Sequence, residues 1–417
     1  MLLNYGRKQL SGLAWLRFGL AVYLILFHTL PDYADLPAWM YQAVSAGYVS
    51  TSTFFILSGC VLAHAYLSDD GKLRVSVRRF LATRFLTMYP LHVIGFVLAS
   101  LIMWGQYRAN GAVYAVADIP TALKGLNQEA LFVLLEPVTL GLNALAHLLL
   151  LHAWNPLYMT FNIPAWSIST LAFFYLVFAV AGGAVLSVRR PWLMLLLLMV
   201  INLMPPVFFI LNSNYSSTAT GFLHTNPLVR LPEFLAGIVL CRLLHDAKHI
   251  PLRRPLFILL VVLAVALISY TIILLSQAGP SGYYLLHNGA LLPLELLLIG
   301  LFAGIRETRI AWLNDLGTRL GNATLSIFIL HVPLFFLLSR LLKILFISLG
   351  QSDMSLGSLS QQIKAFSLPF ATYPFLVIAI VVISVLCQER FVIRSRKYFL
   401  NNWKNQRHES ESARVTP

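Results

Sequence analysis

The chain reads as an all-α polytopic membrane protein with about ten transmembrane helices. Three observations predict this class. The 417 residues are 58% hydrophobic and 11% charged. Mean hydropathy is +0.76. Apolar stretches of about twenty residues, the length that spans a bilayer core, recur from one end to the other. That composition excludes a soluble domain. A net charge of +14 would suit nucleic acid in a soluble protein, but here most basic residues fall in short loops between apolar runs. Membrane topology accounts for them, and no nucleic-acid partner is expected.

Ten spans are expected, near 13–30, 47–67, 88–107, 164–187, 192–211, 227–245, 255–276, 284–304, 321–339 and 370–388. Arg7 and Lys8 precede the first run as in a signal peptide, but no small-residue cleavage pattern follows and Arg17 interrupts it, so a retained first helix is expected. With the amino terminus in the cytoplasm, one set of loops and the tail carry 22 Lys and Arg and the opposite loops carry five. This asymmetry puts both termini in the cytoplasm. The outer connection 108–163 holds an apolar stretch, 130–154, broken by Glu136-Pro137, Asn143 and His147. Helices lying at the interface or dipping into the bundle are expected there. SRLLKILFISL, 339–349, has basic residues among leucines and predicts an interfacial amphipathic turn or two. A single integral-membrane domain is expected over 1–393, followed by a cytoplasmic polar tail over 394–417 with a disordered composition. Cys60, Cys241 and Cys387 lie in apolar runs without paired or metal-like spacing, so neither a disulfide framework nor a zinc site is expected.

The first span carries Arg17 and His28, eleven residues apart. At 100° per residue they share one helical face, about 16 Å apart along the axis. Ionisable groups inside a span are costly and mark functional sites by default. Taken singly, Arg17 also fits a snorkelling side chain and His28 an interfacial histidine. Ser58-Gly59 in the second span suits close helix packing. Arg74, Arg78, Arg79 and Arg84 fit the positive-inside bias, and their guanidinium forks also suit an anionic phosphate. Trp166, beside Ser167 and Ser169, fits an interfacial anchor. Arg230 and Glu233 are placed to pair at i,i+3, and His331 sits mid-span, where an uncharged, hydrogen-bonded state is cheapest.

Seven blocks occur in order: Arg17 with His28, FFILSG at 54–59, FLATRFLTMYP at 80–90, AWSIS at 165–169, NPLVRLPEFLAG at 226–237, LSIFILHVPL at 325–334, and QERF at 388–391. In this order the chain resembles the integral-membrane acyltransferase-3 family over nearly its whole length. The resemblance implies a multi-pass enzyme of the bacterial cytoplasmic membrane, moving an acetyl or other short acyl group from acyl-CoA to a carbohydrate-like extracytoplasmic acceptor, a glycan or lipid-linked sugar. Acyl-CoA, expected to be acetyl-CoA, is then a donor substrate, and no permanently bound cofactor is implied. Arg17 and Arg84 are expected to hold coenzyme A phosphates and His28 to be the catalytic base or nucleophile, with Glu233 or Asp32 to orient it. Trp166, Ser167, Arg230, Glu233 and His331 are expected to contact substrate. Two positions depart from the family pattern: a frequent glutamate is Leu171 here, and a frequently basic position is Thr87. A membrane transporter or flippase of an envelope glycan precursor is the alternative, although no inverted repeat supports it. A catalytically inactive relative serving as a binding or assembly subunit is a third reading.

The charge asymmetry sets a test. Single cysteines placed at Ser76, Asn214 and Ser410 in a Cys-free background are exposed to an impermeant thiol reagent in intact cells. Only the Asn214 position is expected to label; labelling at Ser76 reverses the assigned orientation.

Overall fold

The computed structural model describes residues 11–33, 36–120, 131–246, 254–305, 308–350, 362–363 and 365–399. They form fourteen α-helices: α1 Ser11–Thr29, α2 Ala38–Val44, α3 Gly47–Tyr66, α4 Val77–Asn110, α5 Pro137–Leu148, α6 Trp166–Leu186, α7 Pro191–Leu211, α8 Ser217–Thr225, α9 Pro227–Asp246, α10 Arg254–Ser276, α11 Gly279–His287, α12 Leu292–Ala303, α13 Ala311–Gly350 and α14 Tyr373–Leu386. Among the described residues the strands are β1 Tyr114–Val116 and β2 Phe132–Leu134, antiparallel with Ala115 opposite Val133. Among the described residues, nine helical segments are long and apolar enough to cross a membrane. The tenth expected span is α9, a helix of spanning length that carries Arg230, Glu233 and Arg242. The all-α polytopic class is therefore the observed one.

Several boundaries differ from the expected ones, each for a physical reason. The third span begins at Val77 rather than 88, because the Ser76 side chain caps the first turn by accepting from the Arg79 amide. Arginines are good helix formers, so the helix runs through the basic segment that hydropathy excludes. It stops at Gly111, whose φ of +70° suits glycine. Segment 339–349 is not a separate interfacial piece. It continues α13, which runs unbroken for 40 residues, about 60 Å at 1.5 Å per residue. Conversely, the expected span 284–304 breaks into α11 and α12 at Gly289, φ +92°, ahead of Pro293. The helical course after α14 continues through residue 399, past the expected domain end at 393, and the remainder of the polar tail lies outside the described residues. Pro31 ends α1 as a 3-10 turn, Leu30–Asp32, and leaves Asp32 exposed.

Segment 130–154 is short structure laid against the bundle. On α5, Asn143 and His147 are buried while Leu142, Leu145 and Leu148 are exposed. This inverts the pattern of a soluble amphipathic helix, as expected where the outer solvent is apolar. The periphery follows the same logic, with Trp192, Leu196, Leu259 and Val262 of α7 and α10 facing outward.

The packed centre comprises Ile25, Phe55, Ile56, Phe174, Phe178, Phe234, Ile327 and Ile329. Helix α3 packs on α9, α1 on α13, and α13 on α14. The α3–α9 crossing depends on two glycines. A Cβ on Gly59 would lie 2.0 Å from the Phe234 carbonyl oxygen, and one on Gly237 would lie 1.9 Å from that of Ile56. Small residues let membrane helices approach backbone to backbone.

Gly237→Val is therefore expected to lower the melting temperature of the purified protein, at a cost of roughly 1–3 kcal/mol from overpacking. Gly300→Ala, where nothing lies within 4 Å, serves as the control. Equal melting temperatures for the two variants would refute the close crossing.

Candidate active site

Two of the cavities among the described residues hold residues expected in the site. The first, of about 150 Å³, lies beside Arg17 in the first half of α1 and is lined by Arg17, Arg84 and Arg396 together with Ser58, Ser167 and Tyr175. No carboxylate is among its lining residues. The Arg84 guanidinium sits over the Tyr66 ring, 4.7 Å from its centroid, and Nη2 donates to the Tyr66 hydroxyl. Its Nε is buried and finds no partner among the described residues. Three guanidinium groups with no acid in the lining are a donor set that suits an anion. Ser167 donates to the Pro164 carbonyl at 2.8 Å, which fixes its hydroxyl proton on backbone. Leu171 and Thr87, the two positions that depart from the family pattern, line this same cavity.

The second cavity, of about 500 Å³, lies toward the opposite end and is lined by His28, Trp166, His224, His287, Tyr48 and Tyr283 among others. Phe328 lines both cavities. His28 on α1 half-buries its ring against Phe27, with centroids 4.7 Å apart.

The hydrogen-bond partners fix how His28 is presented. His331 on α13 is fully buried, and its Nδ1 lies 2.8 Å from the Phe328 carbonyl and 3.1 Å from that of Ile327. Carbonyl oxygens only accept, so Nδ1 of His331 carries the proton and Nε2 presents a lone pair. That Nε2 lies 3.1 Å from Nδ1 of His28, which also lies 3.1 Å from the Leu24 carbonyl. Two acceptors facing Nδ1 of His28 put its proton there. Nε2, for which no hydrogen bond is found among the described residues, keeps its lone pair for the cavity. His224 is oriented in the same sense, its Nδ1–H donating to Asp118. Its ring stands edge-on to Trp166 at 4.8 Å. His287 has Nδ1 2.8 Å from the Tyr283 carbonyl and its ring 3.9 Å from that of Tyr283.

The structure thus distributes the expected residues unequally. Arg17, Arg84 and Ser167 line the first cavity; His28 and Trp166 line the second. His331 lines neither and stands behind His28, so its expected contact with substrate is replaced by a contact with the imidazole. Arg230 and Glu233 also line neither cavity. They are 2% and 1% exposed and pair at 3.1 Å. Arg230 Nη2 donates to Ser52 at 2.7 Å, and Nη1 donates to the His287 carbonyl where α11 ends. The pair satisfies a broken helix inside the bundle rather than facing a ligand. Glu233 and Asp32 are accordingly not the groups that orient His28; the Leu24 carbonyl and His331 are. Asp118, His224, His287 and Arg396 were not singled out from sequence. Asp118 and His224 are 106 residues apart, and Arg396 reads as one more basic residue of a tail.

The chain matches the acyltransferase domain family over residues 10–389. It is 28% identical over 251 residues, 57% of each chain, to the acyltransferase MdmB of Streptomyces mycarofaciens. It is 31% identical over 130 residues, 30% of this chain and 60% of the other, to protein 2 in the picA locus of Rhizobium radiobacter. The matched regions span less than two thirds of the length of these relatives. No solved structure matches the chain.

The buried pair yields a stability prediction. Arg230→Met leaves a carboxylate without its cation and a helix end without its donor, so a loss of about 3–5 kcal/mol is expected, read as a fall in melting temperature and membrane yield. The double variant Arg230→Met with Glu233→Leu is expected to recover part of it. A single variant as stable as the parent contradicts the bracing role.

Proposed function

The chain belongs to the membrane acyltransferase family that this domain defines, and from that premise we propose that it transfers an acetyl or other short acyl group from acyl-CoA to a hydroxyl of a carbohydrate-like acceptor. The observation that carries this reading is the pairing of an arginine-lined cavity with a histidine- and aromatic-lined one across Phe328. A coenzyme A donor has phosphates at one end and a thioester at the other, joined by the long pantetheine arm. Arg17, Arg84 and Arg396 suit the phosphates, and the thioester extends toward His28. The wider cavity takes the acceptor, whose sugar faces stack on Trp166 and the tyrosines while hydroxyls meet the imidazoles. With the 22-to-five charge asymmetry, the arginine cavity faces the cytoplasm of a bacterial inner membrane, both termini lie on that side, and the acceptor, a glycan or lipid-linked sugar, comes from the other.

In the proposed step, Nε2 of His28 removes the proton of the acceptor hydroxyl as its oxygen attacks the thioester carbonyl carbon. The carbon–sulfur bond breaks, an ester bond remains, and the departing sulfur takes the proton from the His28 imidazolium. Coenzyme A leaves as a free thiol and His28 is regenerated. His331 acts as a positioning residue, holding the His28 proton on Nδ1 so that Nε2 faces the acceptor.

His28→Gln is expected to reduce transfer by about 10²- to 10⁴-fold, the contribution of a positioned base, with coenzyme A binding retained. His331→Ala is expected to lower the turnover rate less. If His331→Ala abolishes transfer while His28→Gln keeps parental turnover, the base is not His28.

The donor grip has its own test. Arg84→Ala and Arg17→Ala are each expected to weaken coenzyme A binding, measured by calorimetry in detergent, more than acceptor binding. Arg17→Lys is expected to recover little, because lysine lacks the planar fork. Parental coenzyme A affinity in both alanine variants would overturn the donor assignment.

A further inference from the structure

Away from both cavities, three histidines from separate segments meet. His92 on α4, His147 on α5 and His152 in the 3-10 turn His152–Trp154 each offer a ring nitrogen, and these lie within 4.8 Å of one another. None of the three lines the arginine or histidine cavity. The Nδ1 atoms of all three are buried and find no hydrogen-bond partner among the described residues.

The opposite ring atoms explain why those nitrogens are bare. Nε2 of His92 lies 2.9 Å from the His147 carbonyl, and Nε2 of His152 lies 2.9 Å from the Ala165 carbonyl. A carbonyl accepts only, so both rings carry their proton on Nε2 and a lone pair on Nδ1. Nε2 of His147 lies 3.2 Å from the Thr160 hydroxyl, which can donate or accept, so either tautomer of His147 satisfies this contact.

Buried nitrogens that can only accept are costly when left bare. A water molecule has two protons to donate and leaves one of three unpaired; a cation serves all three. An oxygen that holds Nε2–H and leaves the other nitrogen for the metal is the usual outer arrangement around a ligating histidine. We propose that His92, His147 and His152 bind one divalent transition-metal ion of the zinc class through their Nδ1 atoms, with water as a fourth ligand. The all-imidazole set favours zinc and its neighbours over magnesium or calcium, which prefer oxygen. Zinc–nitrogen bonds of about 2.0–2.1 Å set tetrahedral ligands roughly 3.4 Å apart. The rings of His147 and His152 are stacked at 3.8 Å and parallel within 7°, so binding of one ion by both requires them to turn.

The site has a structural consequence. It joins α4 to the 137–154 segment, and His152 also holds the carbonyl of Ala165, the residue before Trp166. Ser169 on α6 reinforces this by donating to Leu150 at 2.5 Å and accepting from the Ala153 amide at 3.3 Å. The ion thus clamps the wall that presents Trp166 to the larger cavity, without touching substrate.

The test uses the full chain, purified without a polyhistidine tag, stripped with a chelator and dialysed against zinc or cobalt. About one zinc per chain by plasma mass spectrometry is expected, with a higher melting temperature in zinc and visible cobalt absorption of a four-coordinate nitrogen site. His92→Gln, His147→Gln and His152→Gln are each expected to lose the metal, and His245→Gln, at an exposed site paired with Asp69, to keep it. If the three variants fail to fold, the parent protein decides alone. No retained zinc and no thermal shift in the parent, or zinc retained in all three folded variants, overturns the proposal.

Discussion

The crossing of α3 and α9 is the constraint around which the rest is arranged. Gly59 and Gly237 bring the two backbones together, and Arg230 of α9 ties them further by donating to Ser52 of α3. The same guanidinium reaches the carbonyl that α11 leaves unsatisfied at His287. An open helix end inside a membrane would cost several kcal/mol for each unmet group. The protein meets that cost from within, through one buried arginine whose charge is balanced by Glu233. His287 and Tyr283, in the last turns of α11 before the break, line the larger cavity.

With α3 fixed, its length supplies a wall to both cavities: Tyr48 and Thr51 face the larger one, Phe54, Phe55 and Ser58 the smaller. Between them stands an aromatic layer. Phe54 meets Phe328 edge-on at 5.4 Å, and Phe55 meets Trp166 at 5.8 Å. Edge-to-face packing of this kind is compact and apolar. It stands between a guanidinium-lined compartment and an imidazole-lined one, with Phe328 in the wall of both.

How much of this was legible in the sequence depends on the distance over which each feature is encoded. The spans were legible because hydropathy reports directly on the lipid. Arg17 and His28 were legible as a pair because one helix carries both and its period is fixed. Arg230 and Glu233 were also legible as an ion pair at i,i+3, though their bracing role was not, since it depends on a helix break 57 residues away. The extension of α13 through 339–349 and the early start of α4 were missed because hydropathy measures the membrane, whereas a helix continues until something stops it. Asp118 with His224, and the three clustered histidines, depend on tertiary folding of the 108–163 connection. No local period announces them.

The placement of Arg17 and His28 on a single helix has a mechanical meaning. Groups carried on loops change separation when the loops move, whereas a helix holds two of its residues at a distance set by its rise, here about 16 Å. Charged or titrating side chains in a span cost on the order of 2.5–3.5 kcal/mol each on insertion scales, so a chain that keeps both in α1 gains something only their fixed spacing provides. Each lines an internal cavity of the bundle, Arg17 the smaller one and His28 the larger. His331 then settles the remaining freedom, the choice of tautomer, by passing the orientation of two backbone carbonyls through its own ring to His28. The separation is set by backbone geometry and the proton's position by backbone carbonyls, so neither requires a charged partner in the membrane interior.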